Sequence, residues 1–189
     1  MPHFEKYHPL LSAHYQLDWL TLYRLKDVAR LRQDPLQAAV SGRAVDDSIE
    51  ATARYVNRAM RLVMADESLL YGIGDRQSKA FLGSICLWHF DAARTTAQLR
   101  VELLPEVDAA VLTEILPRVA GFAFFELGLA HLYVLLPATA TTMRTALEAS
   151  RFTAAPTERT RTLPDGTKVP LLRLALDATT VATDPAFQF

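Results

Sequence analysis

Residues 96–128, TAQLRVELLPEVDAAVLTEILPRVAGFAFFELG, change hydrophobic period once, and that change restricts the fold more than any other stretch. Leu99, Val101 and Leu103 alternate with Gln98, Arg100 and Glu102, the two-residue period of a strand with one apolar face. From Leu112 the apolar positions move to three- and four-residue steps through Ile115, Leu116, Val119, Phe122, Ala123 and Leu127, as an amphipathic helix requires. Gly128 then supplies a residue suited to a left-handed C-cap. Residues 105–110 form the join. A strand that feeds a helix through a short turn aims several backbone N–H groups at one point, and such a point attracts anions, phosphate among them.

The rest of the chain supplies partners for this unit. Residues 1–14 carry aromatics, histidines and a proline without a period and read as a leader packed on the domain. The spacing of His3, His8 and His14 fits no helix face, so no metal site is expected there. Residues 15–22 read as a first strand, and Leu22, Leu25, Val28, Ala29 and Leu31 as a helical stripe that should stop near Asp34 and Pro35, because a residue before proline avoids helical geometry. Asp46, Asp47 or Ser48 can cap a second helix with Ile49, Ala53, Val56, Ala59, Met60 and Val63 facing inward. Leu69, Tyr71 and Ile73 alternate as a strand, a turn follows at residues 75–78, and AFLGSICLWHF is a strongly apolar strand beside the 95–104 strand. After the central helix, in which Pro117 predicts a kink, come the buried strand HLYVLLP and a helix over about residues 140–149. A closing hairpin turns at Pro164, Asp165 and Gly166. The order predicts a mixed α/β domain over residues 15–176, with a mostly antiparallel central sheet flanked by helices and a tail at 177–189.

Composition narrows the function classes. At 189 residues the chain can bury a substantial core. Its net charge of -1 gives no general basis for binding nucleic acid, which usually needs a basic surface, so no nucleic-acid partner is expected. Cys86 is the only cysteine, which excludes an intrachain disulfide and points to a reducing cytoplasm. No apolar run approaches the roughly 18 residues of a membrane span, so no membrane partner is expected either. Cys86 lies in an apolar strand and reads as a small buried hydrophobe.

Three segments, in this order and spacing, resemble the GNAT acetyltransferase superfamily and within it the ribosomal-protein N-acetyltransferase-like branch. They are LDWLTLYRLKDVARLRQDP at 17–35, LGSICLWHFDAARTTAQLRVELLPE at 82–106 and LTEILPRVAGFAFFELGLAHLYVLLP at 112–137. The resemblance implies a GNAT-like acyl-CoA N-acyltransferase fold and acetyl transfer from acetyl-CoA to a primary amine, on a protein N-terminus or a small molecule. It assigns pantetheine pairing to the backbone around Glu102, Leu103 and Leu104. Pyrophosphate binding falls to Val107, Asp108, Ala109, Ala110, Val111 and Leu112, and further cofactor contacts to the hydroxyls of Thr139 and Thr141. A homodimer is compatible with the resemblance.

The chain departs from the family pattern at three places. The pyrophosphate loop has no glycine; none lies between Gly83 and Gly121, and Asp108 stands where its carboxylate can occupy the helix-start amides and repel an anion. Gln98 stands near the place where many relatives carry a glutamate base, and an amide cannot accept the amine's proton. Glu102, on the same strand face, and His89, at the end of the paired strand, are the candidate bases. Ala146 falls where some relatives carry a tyrosine acid. Two readings follow: an acetyl-CoA-dependent N-acetyltransferase, or a non-catalytic GNAT-fold binding module that has lost its cofactor. The first two helices show no charge pattern diagnostic of an acceptor.

Overall fold

The structure, a computed structural model, describes residues 3–188, which form eight strands and the helices between them. The chain divides into two compact units, residues 1–88 with 100–107, and residues 89–99 with 108–189.

In the first unit, strands β1 (Leu10–Leu11), β2 (Tyr15–Asp18), β3 (Leu69–Asp75) and β4 (Phe81–Trp88) lie side by side in sequence order, followed by the later half of β5 (Thr96–Leu103). β1, β2, β3 and β4 pair antiparallel. Helices α1 (Leu25–Arg32), α2 (Pro35–Ser41) and α3 (Ile49–Met64) accompany them. Leu20, Val28, Leu31, Val56, Ala59, Leu70, Phe81, Cys86 and Leu104 form one buried cluster, so the stripes of α1 and α3 close on the apolar face of β3 and β4. Trp19 stacks on Tyr71 with ring centroids 5.1 Å apart. Gly83 allows β4 and β5 to approach: a Cβ there would stand 2.1 Å from the Glu102 carbonyl oxygen.

In the second unit the order is β5, β6 (His131–Pro137), β8 (Lys168–Asp177), β7 (Thr153–Thr162). β5 and β6 are parallel, which demands a long crossover. That crossover is the central helix: a 3-10 turn Ala109–Val111, α4 (Leu112–Gly121) and a π-helical turn Phe122–Glu126. Leu112, Ile115, Leu116, Phe122 and Ala123 on its inner face are at most 1% exposed, as their spacing requires. Gly128 takes a left-handed φ of 78°, in keeping with the C-cap expectation. Pro117 sits inside α4, while the departure from α geometry comes one turn later, at the π-helical residues. α5 (Thr141–Ala149) and α6 (Ala178–Val181) complete the unit.

The fold is therefore the mixed α/β, mostly antiparallel arrangement that the periodicity implies, with local differences. The first strand ends at Asp18 and gives way to a 3-10 turn at Leu20–Leu22. Asp34 and Pro35, read as a stop, also start α2: the Asp34 carboxylate accepts from the Gln37 N–H at 2.9 Å, and Pro35 occupies the first helical turn, where its missing N–H is harmless. Ser48 is the residue that caps α3, and Ile49, expected inside, is 42% exposed. Residues 1–14 contribute β1 and the buried Phe4, and residues 177–188 contribute α6 and the buried Phe187.

Candidate functional site

The backbone of β5 is the first element of the site. Its parallel register with β6 pairs Thr96 with His131, Ala97 with Leu132 and Gln98 with Tyr133. The Leu104 N–H donates to the Leu82 carbonyl at 2.9 Å, and the Glu102 carbonyl also faces β4. Strand residues alternate the edge to which their N–H and C=O point, so Val101 and Leu103 present theirs to the edge opposite β4. Of the residues expected to pair with pantetheine, Leu103 thus has its polar backbone on the edge opposite β4, and Leu104 has its N–H on β4.

The turn after β5 has its amides arranged by the chain itself. Val107 N–H donates to the Leu104 carbonyl at 2.9 Å. Asp108 is the N-cap of the following 3-10 turn, its Oδ1 accepting from the Ala110 N–H at 2.8 Å. Val111 N–H donates to the Asp108 carbonyl at 3.2 Å, and Leu112 N–H to the carbonyls of Ala109 and Ala110. Capping by aspartate is the ordinary way to satisfy such donors. Glu106 pairs with Arg30 at 2.6 Å, both exposed; a backbone hydrogen bond and the guanidinium hold its carboxyl below the usual range.

The two candidate bases have different surroundings. Glu102 is 1% exposed, and its Oε1 accepts from Arg43 Nε at 2.5 Å. The same guanidinium donates to the carbonyls of Leu31, Arg32 and Ala44 at 2.9, 2.9 and 3.0 Å, so Arg43 ties the last turn of α1 to β5. A carboxylate in such a pair is committed, because withdrawing it leaves a buried cation uncompensated. Its partner lies 59 residues away, at a position no local pattern marks.

His89 is exposed and holds a left-handed φ of 50°, a conformation costing a side-chain-bearing residue about 1–2 kcal/mol. Its Nδ1 lies 3.2 Å from the Oε1 of Gln98, which is 7% exposed. An amide oxygen only accepts, so this pairing holds when Nδ1 carries the proton. Gln98, which cannot take a proton itself, therefore pairs with a residue that can.

Thr139 and Thr141 lie exposed at the start of α5, where no side chain caps the helix. Thr141 N–H donates to the Thr139 carbonyl at 2.9 Å, and Thr145 Oγ1 to the Thr141 carbonyl at 3.0 Å. Ala146 is buried, so this turn supplies no acid.

The chain has the fold of the GNAT acetyltransferases. A Vibrio cholerae spermidine N-acetyltransferase, solved with CoA and spermine, superposes with a TM-score of 0.78 at 14% identity over 90% of this chain and 99% of that one. The microcin C7 self-immunity acetyltransferase, solved with acetyl-CoA and AMP, gives 0.74 at 12% identity over 87% and 93%. A Vibrio cholerae protein assigned as a ribosomal-protein-serine acetyltransferase gives 0.68 at 16% identity over 89% and 97%. No family model matches the sequence, and no curated protein matches it. Among the described residues, no helix is long and apolar enough to cross a membrane.

Proposed function

We propose that the protein is an acetyl-CoA-dependent N-acetyltransferase acting on a primary amine, either a small molecule or a protein N-terminus. The observation that carries this reading is the β5 edge: Leu103 turns its amide and carbonyl to the edge opposite β4, where they suit a pantetheine. Solved neighbours of the same fold are acetyltransferases, two of them with CoA or acetyl-CoA bound. The thioester supplies the activated acyl group; the chain's part is to align it along Val101 and Leu103 and to take the amine's proton. That proton goes to His89 Nε2, with Gln98 holding Nδ1–H, while Glu102 stays paired with Arg43 and supports the strand. The departing thiolate is a good leaving group and takes its proton from water.

One observation favours the second reading, a non-catalytic module. The donors at Val107, Ala110, Val111 and Leu112 are already satisfied by the chain, so a pyrophosphate must displace the Asp108 cap and meet its carboxylate. Calorimetric titration of the full chain with acetyl-CoA, with desulpho-CoA as control, separates the two. The enzyme reading expects saturable binding, followed by amine-dependent release of CoA that drops at least tenfold in His89→Ala. No saturation at millimolar acetyl-CoA overturns it and leaves the binding module.

A further inference from the structure

The face of α3 away from the sheet carries a charge arrangement that acetyl transfer does not use. A cavity of about 400 Å³ is lined there by Arg32, Asp46, Arg54, Tyr55, Arg58 and Arg61 together with small and amide side chains. Its floor is neutral and fixed. Arg32 donates to both Asp46 oxygens at 3.1 and 2.9 Å and lies 3.6 Å from the centroid of the Tyr55 ring, and Thr52 donates to Asp46 at 2.9 Å. Its wall is not neutral. Arg54, Arg58 and Arg61 are spaced by four and three residues, which puts three guanidinium groups on one helix face. All three are exposed, and among the described residues no carboxylate lies within ion-pairing distance of them. Like charges at this spacing repel and weaken the helix, and here they stand in a lining of net charge +3 within a chain of net charge -1.

We propose that this cavity binds the phosphate group of a phosphorylated small molecule. Three guanidinium forks on one helix face and one cavity wall match the several oxygens of a phosphate, whereas one arginine suffices for a carboxylate, as Arg32 does for Asp46. The volume is that of a small-molecule site, and Tyr55 offers an aromatic wall for the organic part of the ligand. A nucleic acid is not the expected occupant, because the excess positive charge is confined to one cavity of a slightly acidic chain. The proposal needs neither acetyl-CoA binding nor acetyl transfer.

The test is calorimetric titration of the full chain with inorganic pyrophosphate and with ribose 5-phosphate, repeated on the double variant Arg54→Gln/Arg58→Gln. Both side chains are exposed and have no ion pair among the described residues, so the variant should keep the wild-type circular dichroism and melting temperature. Saturable binding of both probes, weakened at least tenfold in the double variant and by added salt, is the expected result. A titration without saturation overturns the proposal. So does binding of equal strength in the double variant, which would put the anion at the turn after β5. An Asp46→Asn variant adds a second check, since removing the one carboxylate from the lining should tighten pyrophosphate binding.

Discussion

Asp108→Asn and Asp108→Gly form a pair of substitutions that separates two effects at the turn after β5. The wild-type side chain closes the Ala110 amide with a 2.8 Å hydrogen bond and also brings a carboxylate to the place proposed for pyrophosphate. Asparagine caps a helix as well as aspartate, so the first variant keeps the amide closed and removes only the charge. Two unit charges 4 Å apart repel by about 1 kcal/mol in a water-like medium, the appropriate limit because Asp108 is exposed, so Asp108→Asn should tighten acetyl-CoA binding about fivefold. Glycine removes the acceptor too, freeing the Ala110 N–H at a cost of only a few tenths of a kcal/mol to the turn. Asp108→Gly should therefore bind more tightly than Asp108→Asn, with a melting temperature within about 1–2 °C of wild type. The assay is titration calorimetry with acetyl-CoA at low and high salt, and the charge component should shrink as salt rises. Equal or weaker affinity in both variants would refute the reasoning, because it would mean that the phosphates do not meet these amides.

Three further expectations concern the first unit. Arg43→Met leaves the buried Glu102 carboxylate without its cation and the α1 carbonyls of Leu31 and Arg32 without a donor, so it should cost about 3–5 kcal/mol in urea unfolding, part of which Arg43→Met/Glu102→Gln recovers. Burial pushes the Cys86 thiol up to about 11, so it should resist maleimide at pH 8 in the folded chain and react on unfolding; fast native-state labelling would contradict its place in the core. Burial raises the Asp46 carboxyl, but hydrogen bonds from Arg32 and Thr52 and the charges of Arg32 and Arg43 outweigh it and hold the group below its ordinary value. A lowered folded value gives stability that is complete above the unfolded carboxylate range and lost as pH falls through the folded value. The stability gap between wild type and Asp46→Asn should accordingly be larger at pH 7 than at pH 3, and a gap that widens on acidification would contradict the pairing.

The single change of period at residues 96–128 carried most of the fold, because a strand followed at once by a long amphipathic helix leaves few layered solutions. The caps also followed from chemistry: Asp108 and Gly128 act where their side chain or backbone freedom suits them. What escaped was non-local or two-valued. Asp34 with Pro35 signals a stop and a start equally well, and only the start of α2 distinguishes them. Glu102 looks like any polar-face glutamate until Arg43 arrives from a loop 59 residues earlier. The pairing of Gln98 with His89 depends on a turn that no period describes. The Arg54, Arg58 and Arg61 spacing escaped as well, because only the fold shows that no carboxylate among the described residues comes to meet it.

The most direct test of the β5 edge is amide hydrogen exchange in the full chain with and without saturating acetyl-CoA. Val101 and Leu103, whose N–H groups face away from β4, should exchange more slowly with the cofactor present, while Leu104, already bonded to Leu82, should not change. Unaltered exchange at Leu103 under saturating acetyl-CoA would contradict the account.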